Sequence, residues 1–468
     1  MSEPNEVLPA REGALSRGAL LLPAFWVLAV LLAVGAVRMT VFLRESVTSY
    51  PVATVVAVVL FALYAVPFWI FVGGLDFLER EPRTLLATAF AWGALVATAV
   101  AIPGAGALHN VLAKLVSPEF AASWGAAIAG PTIEETVKVL GVFAIVLVAA
   151  GQVNSPLDGA VYGAMVGLGF QVAEDVVFAV NAVAVEGQGD RVSPVVITFF
   201  LRGFLAGLWS HTLFGALAGL GVGYLVVRTD RPLFRRAGIA LLAFAGSWAC
   251  HFLWNTPILL DGPVEGALGV LLILVIKGIP PLLLIAYVVR AAHGREAEYY
   301  VSLLADLNDP EIATEAELRA LGSGTRRAAA RGYAHGQAGI RGRRAVRRLQ
   351  QAQARLAVSL SRANGDGTGL RGADGSELRG ADGDGAGFRE ADGDGAGLRA
   401  NGGGTTAEVA RWKREVRAQR VRLRRLRHPE ARAPEERGGT VRGIFTATGA
   451  VGLLMMVVWA AIAALGGR

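Results

Sequence analysis

Charged side chains occur in the middle of a segment that otherwise has the composition of a membrane helix. The stretch GPTIEETVKVLG, residues 130–141, contains Glu134, Glu135 and Lys138, and the apolar runs FAASWGAAIA and VFAIVLVAAG flank it. Each charge at the centre of a bilayer costs about 2.5–3.5 kcal/mol, so such residues must face one another or a hydrated cavity. We therefore interpret them as parts of a site where a reaction or a passage takes place inside the membrane.

Other polar side chains recur in the apolar segments that follow. His251 and Asn255 are four residues apart and share one face of a helix. Glu134 and Lys138 are also four apart and are expected to form an intrahelical pair, which leaves Glu135 for other partners. The full set combines carboxylates, imidazoles and bases, and it comprises Glu134, Glu135, Lys138, Glu174, Asp175, Arg202, His211, His251 and Lys277.

Long apolar segments must position these residues. Of the 468 residues 53% are hydrophobic, and they come in blocks of about 20, the length of helix that crosses a hydrocarbon core. In lipid every backbone polar group needs an internal partner, so the spans are expected to be helices. The fold class is predicted to be all-α, a polytopic transmembrane helical bundle of about eight spans with a ninth, C-terminal span. The spans are placed at 19–42, 51–75, 84–103, 120–150, 156–182, 194–227, 237–260, 265–289 and 442–466.

Arginines in the short loops set the expected orientation. The loops with several arginines are assigned to the cytoplasm, which places the N-terminus and the region after residue 289 inside the cell. The single cysteine, Cys250, excludes an intramolecular disulfide framework. The expected organisation is a cytoplasmic N-terminus (1–18), a transmembrane domain (19–290), a basic helical region (291–360), a Gly/Asp-rich disordered linker (361–405), a basic helix (406–441) and a C-terminal transmembrane helix (442–466).

The basic region has its own chemistry. Residues 324–363 contain ten arginines and no acid, and a similar helix is predicted at 406–427. We expect the two helices to pair into a hairpin that can bind anionic lipid of the inner leaflet. Arginine-rich helices also suit nucleic acid, although we do not expect that partner, and a solvated appendage without a partner is a further alternative.

Four motifs resemble those of a known family. The stretches EETVK, SPLDGAVYGAMVGLGFQVAED, LRGFLAGLWSHTLFGALAGLGVGY and WACHFLWN resemble the PrsW intramembrane proteases, which are grouped with the CAAX-processing and bacteriocin-processing membrane endopeptidases. The resemblance covers roughly residues 20–290. It implies a multi-pass peptidase of the cell membrane that cuts a membrane-anchored protein, and the best-known role in the family is extracytoplasmic cleavage of an anti-sigma factor.

The resemblance also implies which residues act. Either Glu134 or Glu135 is expected to take the proton of the attacking water, and Lys138 to keep the other glutamate charged. His251 and Asn255 are expected to donate to the oxyanion. The catalytic set is Glu134, Glu135, Glu174, His211, His251 and Asn255, with Lys138, Asp175 and Arg202 in support. In the second motif CAAX-processing relatives carry a histidine where this sequence has Glu174.

The metal and the alternatives stay open at this point. Family members are often described as metalloproteases, and a zinc ion could be held by Glu135, Glu174, His211 and His251. No HExxH motif is present, so a metal-free, glutamate-dependent mechanism is equally consistent. A proton- or ion-coupled transporter would also bury acids and histidines, and a non-catalytic scaffold with a basic tail is a third alternative.

Three histidines and one lysine receive no catalytic role from the sequence. His109 is expected to lie in a loop, and His293 and His335 belong to the basic tail. Lys277 precedes a proline-containing kink and is interpreted as a structural residue or a counter-ion.

Overall fold

The described part of the chain folds into helices joined by turns and short loops. This computed structural model describes residues 19–74, 81–205, 210–257, 272–363, 402–428 and 430–432, and it contains no strand among them. The all-α fold class is thereby confirmed. The predicted N-terminal segment 1–18, most of the linker 361–405 and the ninth span 442–466 lie outside the described residues.

The chain divides into two compact units, one of residues 1–76, 80–292 and 435–468 and one of residues 77–79 and 293–434. The described helices of the first unit are α1 (Pro23–Ser49), α2 (Pro51–Val72), α3 (Arg83–Ala91), α4 (Thr98–Leu115), α5 (Pro118–Val148), α6 (Pro156–Glu186), α7 (Ser193–Phe200), α8 (Ser210–Val227), α9 (Leu233–Asn255) and the first part of α10 (Ile279–Ala305).

Seven helical segments of the described part are long and apolar enough to cross a membrane, so the protein is a multi-pass membrane protein. They are α1, α2, the continuous α3–α4 segment, α6, α8, α9 and the segment that ends with α10. Helix α5 has 31 residues, and its composition sets it apart because it carries Glu119, Glu134, Glu135 and Lys138. The last three are buried inside the protein, which removes their charges from lipid.

Four of the predicted spans differ in the structure. The fourth, 120–150, corresponds to α5, which is not among these seven segments, and the helix of the eighth, expected to end at residue 289, continues to Ala305. The third was expected to end at residue 103, but the helix continues through a π-helical turn at Trp92–Ala97 and past Pro103 to Leu115. A proline inside a membrane helix can be accommodated by its neighbours, so Pro103 and the glycines after it do not end the helix. The sixth span is described in two parts, α7 with a π-helical turn at Leu201–Leu205, and α8.

Helix α6 is the centre of the first unit. Its residues from Pro156 to Gln171 are all buried. A capping box begins it, in which the Ser155 hydroxyl accepts from the backbone of Asp158 and the Asp158 carboxylate accepts from the backbone of Ser155. Gly187, with φ +68°, ends it. Both ends of the helix are therefore fixed by specific residues.

Glycines bring α6 and α8 into backbone contact. A methyl group at Gly163 would lie 2.1 Å from the Gly215 carbonyl oxygen, and one at Gly219 would lie 2.1 Å from the Gly159 carbonyl oxygen. Small residues at such spacing let membrane helices approach until their backbones touch. The close approach places the second motif, on α6, directly beside the third motif, on α8.

The second unit is a separate helical core. It contains the end of α10, α11 (Glu315–Leu321), α12 (Gly324–Ala363) and α13 (Gly402–Arg425). Helix α12 is interrupted at Ala338 and Gly339, where φ is +59° at the glycine. The two basic helices that were predicted to pair, α12 and α13, share an apolar core that includes Leu349, Leu356, Trp412, Val416 and Leu423.

One buried ion pair ties α11 to α13 in this unit. The Arg420 guanidinium donates to the Glu317 carboxylate at 2.6 Å, and both side chains are buried. Arg420 also donates to the Glu311 carbonyl oxygen at 2.8 Å. The basic composition of this region therefore includes at least one arginine with an internal structural role.

The α6–α8 contact leads to a stability prediction. Gly163→Ala should lower the free energy of unfolding by about 1–3 kcal/mol, because the methyl group meets backbone that cannot move aside without separating the helices. Gly238→Ala in α9 is the matched control, because a methyl group there meets nothing within 4 Å. Thermal unfolding of both variants in detergent measures the difference. Equal stability of the two variants would contradict the close-contact interpretation.

Candidate active site

Four helices bring the polar motif residues together. Glu134 and Glu135 lie on α5, Glu174 on α6, His211 on α8, and His251 on α9. They surround a cavity of about 540 Å³ whose lining includes Glu134, Glu174, Arg202, His211, His251 and Asn255. The convergence expected from the sequence is therefore present.

Glu135 contacts three other polar residues of the cluster. It is fully buried, and its Oε1 accepts from Lys138 Nζ at 2.5 Å and lies 2.8 Å from His251 Nδ1. Its Oε2 lies 2.9 Å from Ser247 Oγ. The sequence-based pairing of Lys138 with Glu134 is wrong, because Lys138 pairs with Glu135, three residues away. Residues at both i,i+3 and i,i+4 are neighbours on a helix, so spacing alone could not choose between them.

Glu134 faces the cavity instead. Its Oε2 is buried and has no hydrogen-bond partner within the described residues. This oxygen lies 3.8 Å from His251 Nε2 and 4.0 Å from His211 Nδ1. Burying a carboxylate oxygen without a hydrogen-bond donor costs free energy. Glu134 Oε2 is therefore available to bind a group that is not part of the chain.

Each imidazole is oriented by a carboxylate on its far side. His251 Nδ1 lies 2.8 Å from Glu135, and His211 Nε2 lies 3.2 Å from Glu174. If each of these nitrogens carries the proton, the carboxylates accept from them. The opposite nitrogens then accept from neighbouring donors, His211 Nδ1 from Lys138 Nζ at 3.0 Å and His251 Nε2 from Asn255 Nδ2 at 3.2 Å.

Aromatic rings hold the two imidazoles from the sides. The Phe214 ring stacks on His251 at 5.4 Å between centroids, and the Phe170 ring lies edge-on to His211 at 5.1 Å. Lys138 Nζ lies 4.7 Å from the centre of the Phe170 ring and 3.0 Å from His211 Nδ1. The imidazoles are thus packed in fixed orientations and cannot turn freely.

Arg202 closes the far side of the cluster. Its Nη2 donates to Glu174 at 2.5 Å and its Nε donates to Asp175 at 2.6 Å. The guanidinium also lies 3.9 Å from the centre of the Phe178 ring. Arg202 and Asp175 therefore position Glu174, as the supporting role predicted for them requires.

The donor set fits a divalent metal ion. One ligand atom each from Glu134, His211 and His251 lies within 4.8 Å of the others. Tetrahedral zinc with ligands at about 2.0–2.1 Å would bring such atoms a few tenths of an ångström closer than the 3.8 and 4.0 Å observed. Metal-bound histidines usually donate their other N–H to a carboxylate, which is the role that Glu135 and Glu174 take here. The set differs from the predicted zinc ligands because it contains Glu134 and excludes both Glu135 and Glu174.

The balance of charges in the cluster also favours a bound cation. The cluster holds four carboxylates, Glu134, Glu135, Glu174 and Asp175, against the two permanent cations Lys138 and Arg202. The surplus is two negative charges if both imidazoles are neutral and all four carboxylates are ionised. A low-dielectric interior disfavours such a surplus, and a divalent cation or bound protons would remove it.

Two features of the site, Ser247 and His109, were missed or placed differently by the sequence. Ser247, which binds Glu135, precedes His251 by four residues and Asn255 by eight, so helical spacing could have found it. His109 lies on α4 and lines the cavity, although a loop was expected. Lys277 donates to the Thr256 carbonyl oxygen, which agrees with the structural role proposed for it.

Comparison with known proteins agrees with this arrangement. Residues 81–279 match the family described as PrsW family intramembrane metalloprotease. This part of the chain is similar to the PrsW family. The matched PrsW segment contains every polar motif residue from Glu134 to Lys277, so the protein is an intramembrane protease, a hydrolase. No curated protein and no solved structure matches the chain.

Glu134 and Glu135 should respond in opposite ways to the same substitution. Glu135→Gln leaves the buried Lys138 without its counter-charge and should lower the free energy of unfolding by about 3–5 kcal/mol. Glu134→Gln removes a charge that has no hydrogen-bond donor at Oε2 and should leave stability unchanged or increase it. Thermal unfolding in detergent compares the two variants, and a similar loss of stability in both would contradict the assignment of Lys138 to Glu135.

Proposed function

We propose that the protein is an intramembrane endopeptidase that hydrolyses a peptide bond of a membrane-anchored protein, with Glu134 as the central residue. The observation that carries this proposal is the position of Glu134 Oε2. It is buried, has no hydrogen-bond partner among the residues that the structure describes, faces two imidazole nitrogens and lines a cavity. Anti-sigma-factor-like proteins are the class of substrate that the resemblance to the family suggests.

The side chains of the cavity take distinct roles. When no ion is bound, Glu134 Oε2 takes the proton of the attacking water, and the Asn255 N–H that His251 Nε2 accepts in the free protein turns to the oxyanion. Asn255 also donates to the Ala126 carbonyl oxygen at 3.3 Å, which holds its amide at the cavity wall. Glu135 and Glu174 fix the two imidazoles, and Lys138 keeps Glu135 ionised.

A divalent metal ion would be held by Glu134, His211 and His251. When bound, it supplies a Lewis acid that polarises the scissile carbonyl or a water. Glu135 and Glu174 would then hold the ligand histidines in the required tautomer through Nδ1 of His251 and Nε2 of His211. Glu134 is the central residue of the proposed site with or without the ion. Whether the protein binds a metal ion is tested by a separate measurement.

We further propose that the protein resides in the plasma membrane with its N-terminus and the basic second unit in the cytoplasm. The asymmetry of arginines between the short loops supports this orientation. Anionic lipid of the inner leaflet is the partner that the exposed arginines of α12 fit best.

Removing the Glu134 carboxylate should abolish cleavage. Glu134→Gln is expected to lower kcat at least 100-fold, because general base catalysis contributes about 10²–10⁴-fold and a metal ligand would be lost at the same position. The measurement compares membrane proteomes of cells with wild type or variant and identifies a single-span protein that accumulates uncut. Glu186→Gln, at the exposed end of α6, is the control. Full cleavage by Glu134→Gln in the intact membrane would refute the proposed function.

Metal analysis of the purified protein should show whether Glu134 is a metal ligand or acts as a general base without metal. We expect one zinc ion per chain in wild type and loss of that zinc in His251→Ala, whereas His335→Ala, at an exposed position, keeps it. If Glu134→Gln loses zinc as well, Glu134 is a ligand. Wild-type protein that cleaves at its full rate after zinc has been removed by a chelator would show that the metal is not required.

A further inference from the structure

His109 lies in the wall of the active-site cavity. It belongs to α4, a helix that carries none of the family motifs, and it lines the cavity together with Glu134, His211 and His251. Its side chain is half-buried. A fifth helix, α4, therefore places an imidazole in the wall of the space that the catalytic groups face.

The His109 ring occupies space that a glycine leaves open. A methyl group at Gly125 of α5 would lie 2.2 Å from His109 Nδ1 and 2.6 Å from Cε1, so only glycine admits the ring at this position. The ring is thus held against α5 by shape alone. The contact with Gly125 therefore fixes the position of the His109 imidazole in the cavity wall.

The ring nitrogens of His109 differ from those of the other two cavity histidines in their contacts. Across the described residues, no hydrogen bond or ion pair of its ring nitrogens is found. His211 and His251, by contrast, each have several polar partners. A polar group at the boundary of an apolar region gains from a partner, so the hydrogen-bonding capacity of His109 is available to whatever fills the cavity.

The wall around His109 leaves room for a peptide. Its neighbours on α4 and α5 include Ala105, Gly106, Ala126 and Ala129, which are all small. A methyl group at Gly106 would meet nothing within 4 Å. An unpartnered buried oxygen, Glu134 Oε2, lies in the same cavity, so this small-residue wall and the reacting groups form one site.

The spacing along α5 indicates how far His109 lies from Glu134. Gly125, against which His109 packs, precedes Glu134 by nine residues, or about 13 Å of helix. That length corresponds to about four residues of extended chain. A peptide without its own secondary structure must find partners for its N–H and C=O groups within the membrane, and an imidazole can supply either a donor or an acceptor.

We infer that His109 is a substrate-positioning residue that hydrogen-bonds the main chain of an extended, membrane-anchored protein substrate about four residues from the scissile bond. The inference rests on the proposed function, because it requires that a substrate occupies the cavity. It adds a substrate contact on α4, outside the four motifs.

The test uses purified full-length protein in liposomes with a single-span reporter that wild type cleaves and Glu134→Gln does not. His109→Leu should raise KM, expressed as the mole fraction of reporter in the membrane, about three- to tenfold, which corresponds to the loss of one hydrogen bond. Its kcat should stay within about twofold of wild type. His109→Gln keeps a donor and an acceptor and should restore KM to near the wild-type value.

Two further variants sharpen the test. Gly125→Ala keeps the imidazole but displaces it, so it should raise KM as His109→Leu does. Asn110→Leu changes the next residue, which is exposed and does not line the cavity, and should leave both constants unchanged.

The possible failures are distinguishable. An unchanged KM in His109→Leu, or a loss of thermal stability and kcat without a change in KM, would overturn the role of His109 while the proposed function stands. Cleavage of the reporter by Glu134→Gln at the wild-type rate would overturn the proposed function, and the substrate role of His109 with it.

Discussion

The charge of Lys138 inside the helical bundle is the constraint on which the site depends. A lysine that is 2% exposed cannot remain charged without a partner, and Glu135 supplies the counter-charge at 2.5 Å. Glu135 then uses its remaining capacity to hold His251 and Ser247 of α9, while Lys138 reaches His211 of α8. One ion pair on α5 therefore fixes the position of both histidines, which come from two other helices.

Backbone contact between helices makes this arrangement possible. Where α6 and α8 touch through glycines, a methyl group at Gly167 would lie 2.0 Å from the carbonyl oxygen of His211 itself. The third-motif histidine is thus placed by the tightest contact in this pair of helices. In lipid the hydrophobic effect does not drive helices together. The close packing of small residues and the contacts of the polar cluster must therefore provide the free energy of helix association.

Much of this arrangement follows from the sequence, and the exceptions have physical causes. Apolar blocks of about 20 residues indicate the helices, and the high cost of charge in lipid indicates that the polar residues of four spans must meet. The partner of Lys138 could not be derived, because Glu134 and Glu135 both lie within reach of it on the same helix and the packing of α9 decides between them. His109 was missed because Pro103 and two glycines resemble a helix end, whereas α4 continues past them.

Glu134 and Glu135 are adjacent in the sequence and yet are opposite in environment. A rotation of about 100° between neighbouring helical residues turns Glu135 into the protein, where three donors surround it, and turns Glu134 towards the cavity. If Lys138 neutralised Glu134, the cavity would lose its unpaired carboxylate. The pairing with Glu135 instead leaves the negative charge of Glu134 beside two imidazole nitrogens, an arrangement that favours a cation or the proton of an attacking water. The stability of the bundle and the reactivity of the site thus depend on the same choice of partner.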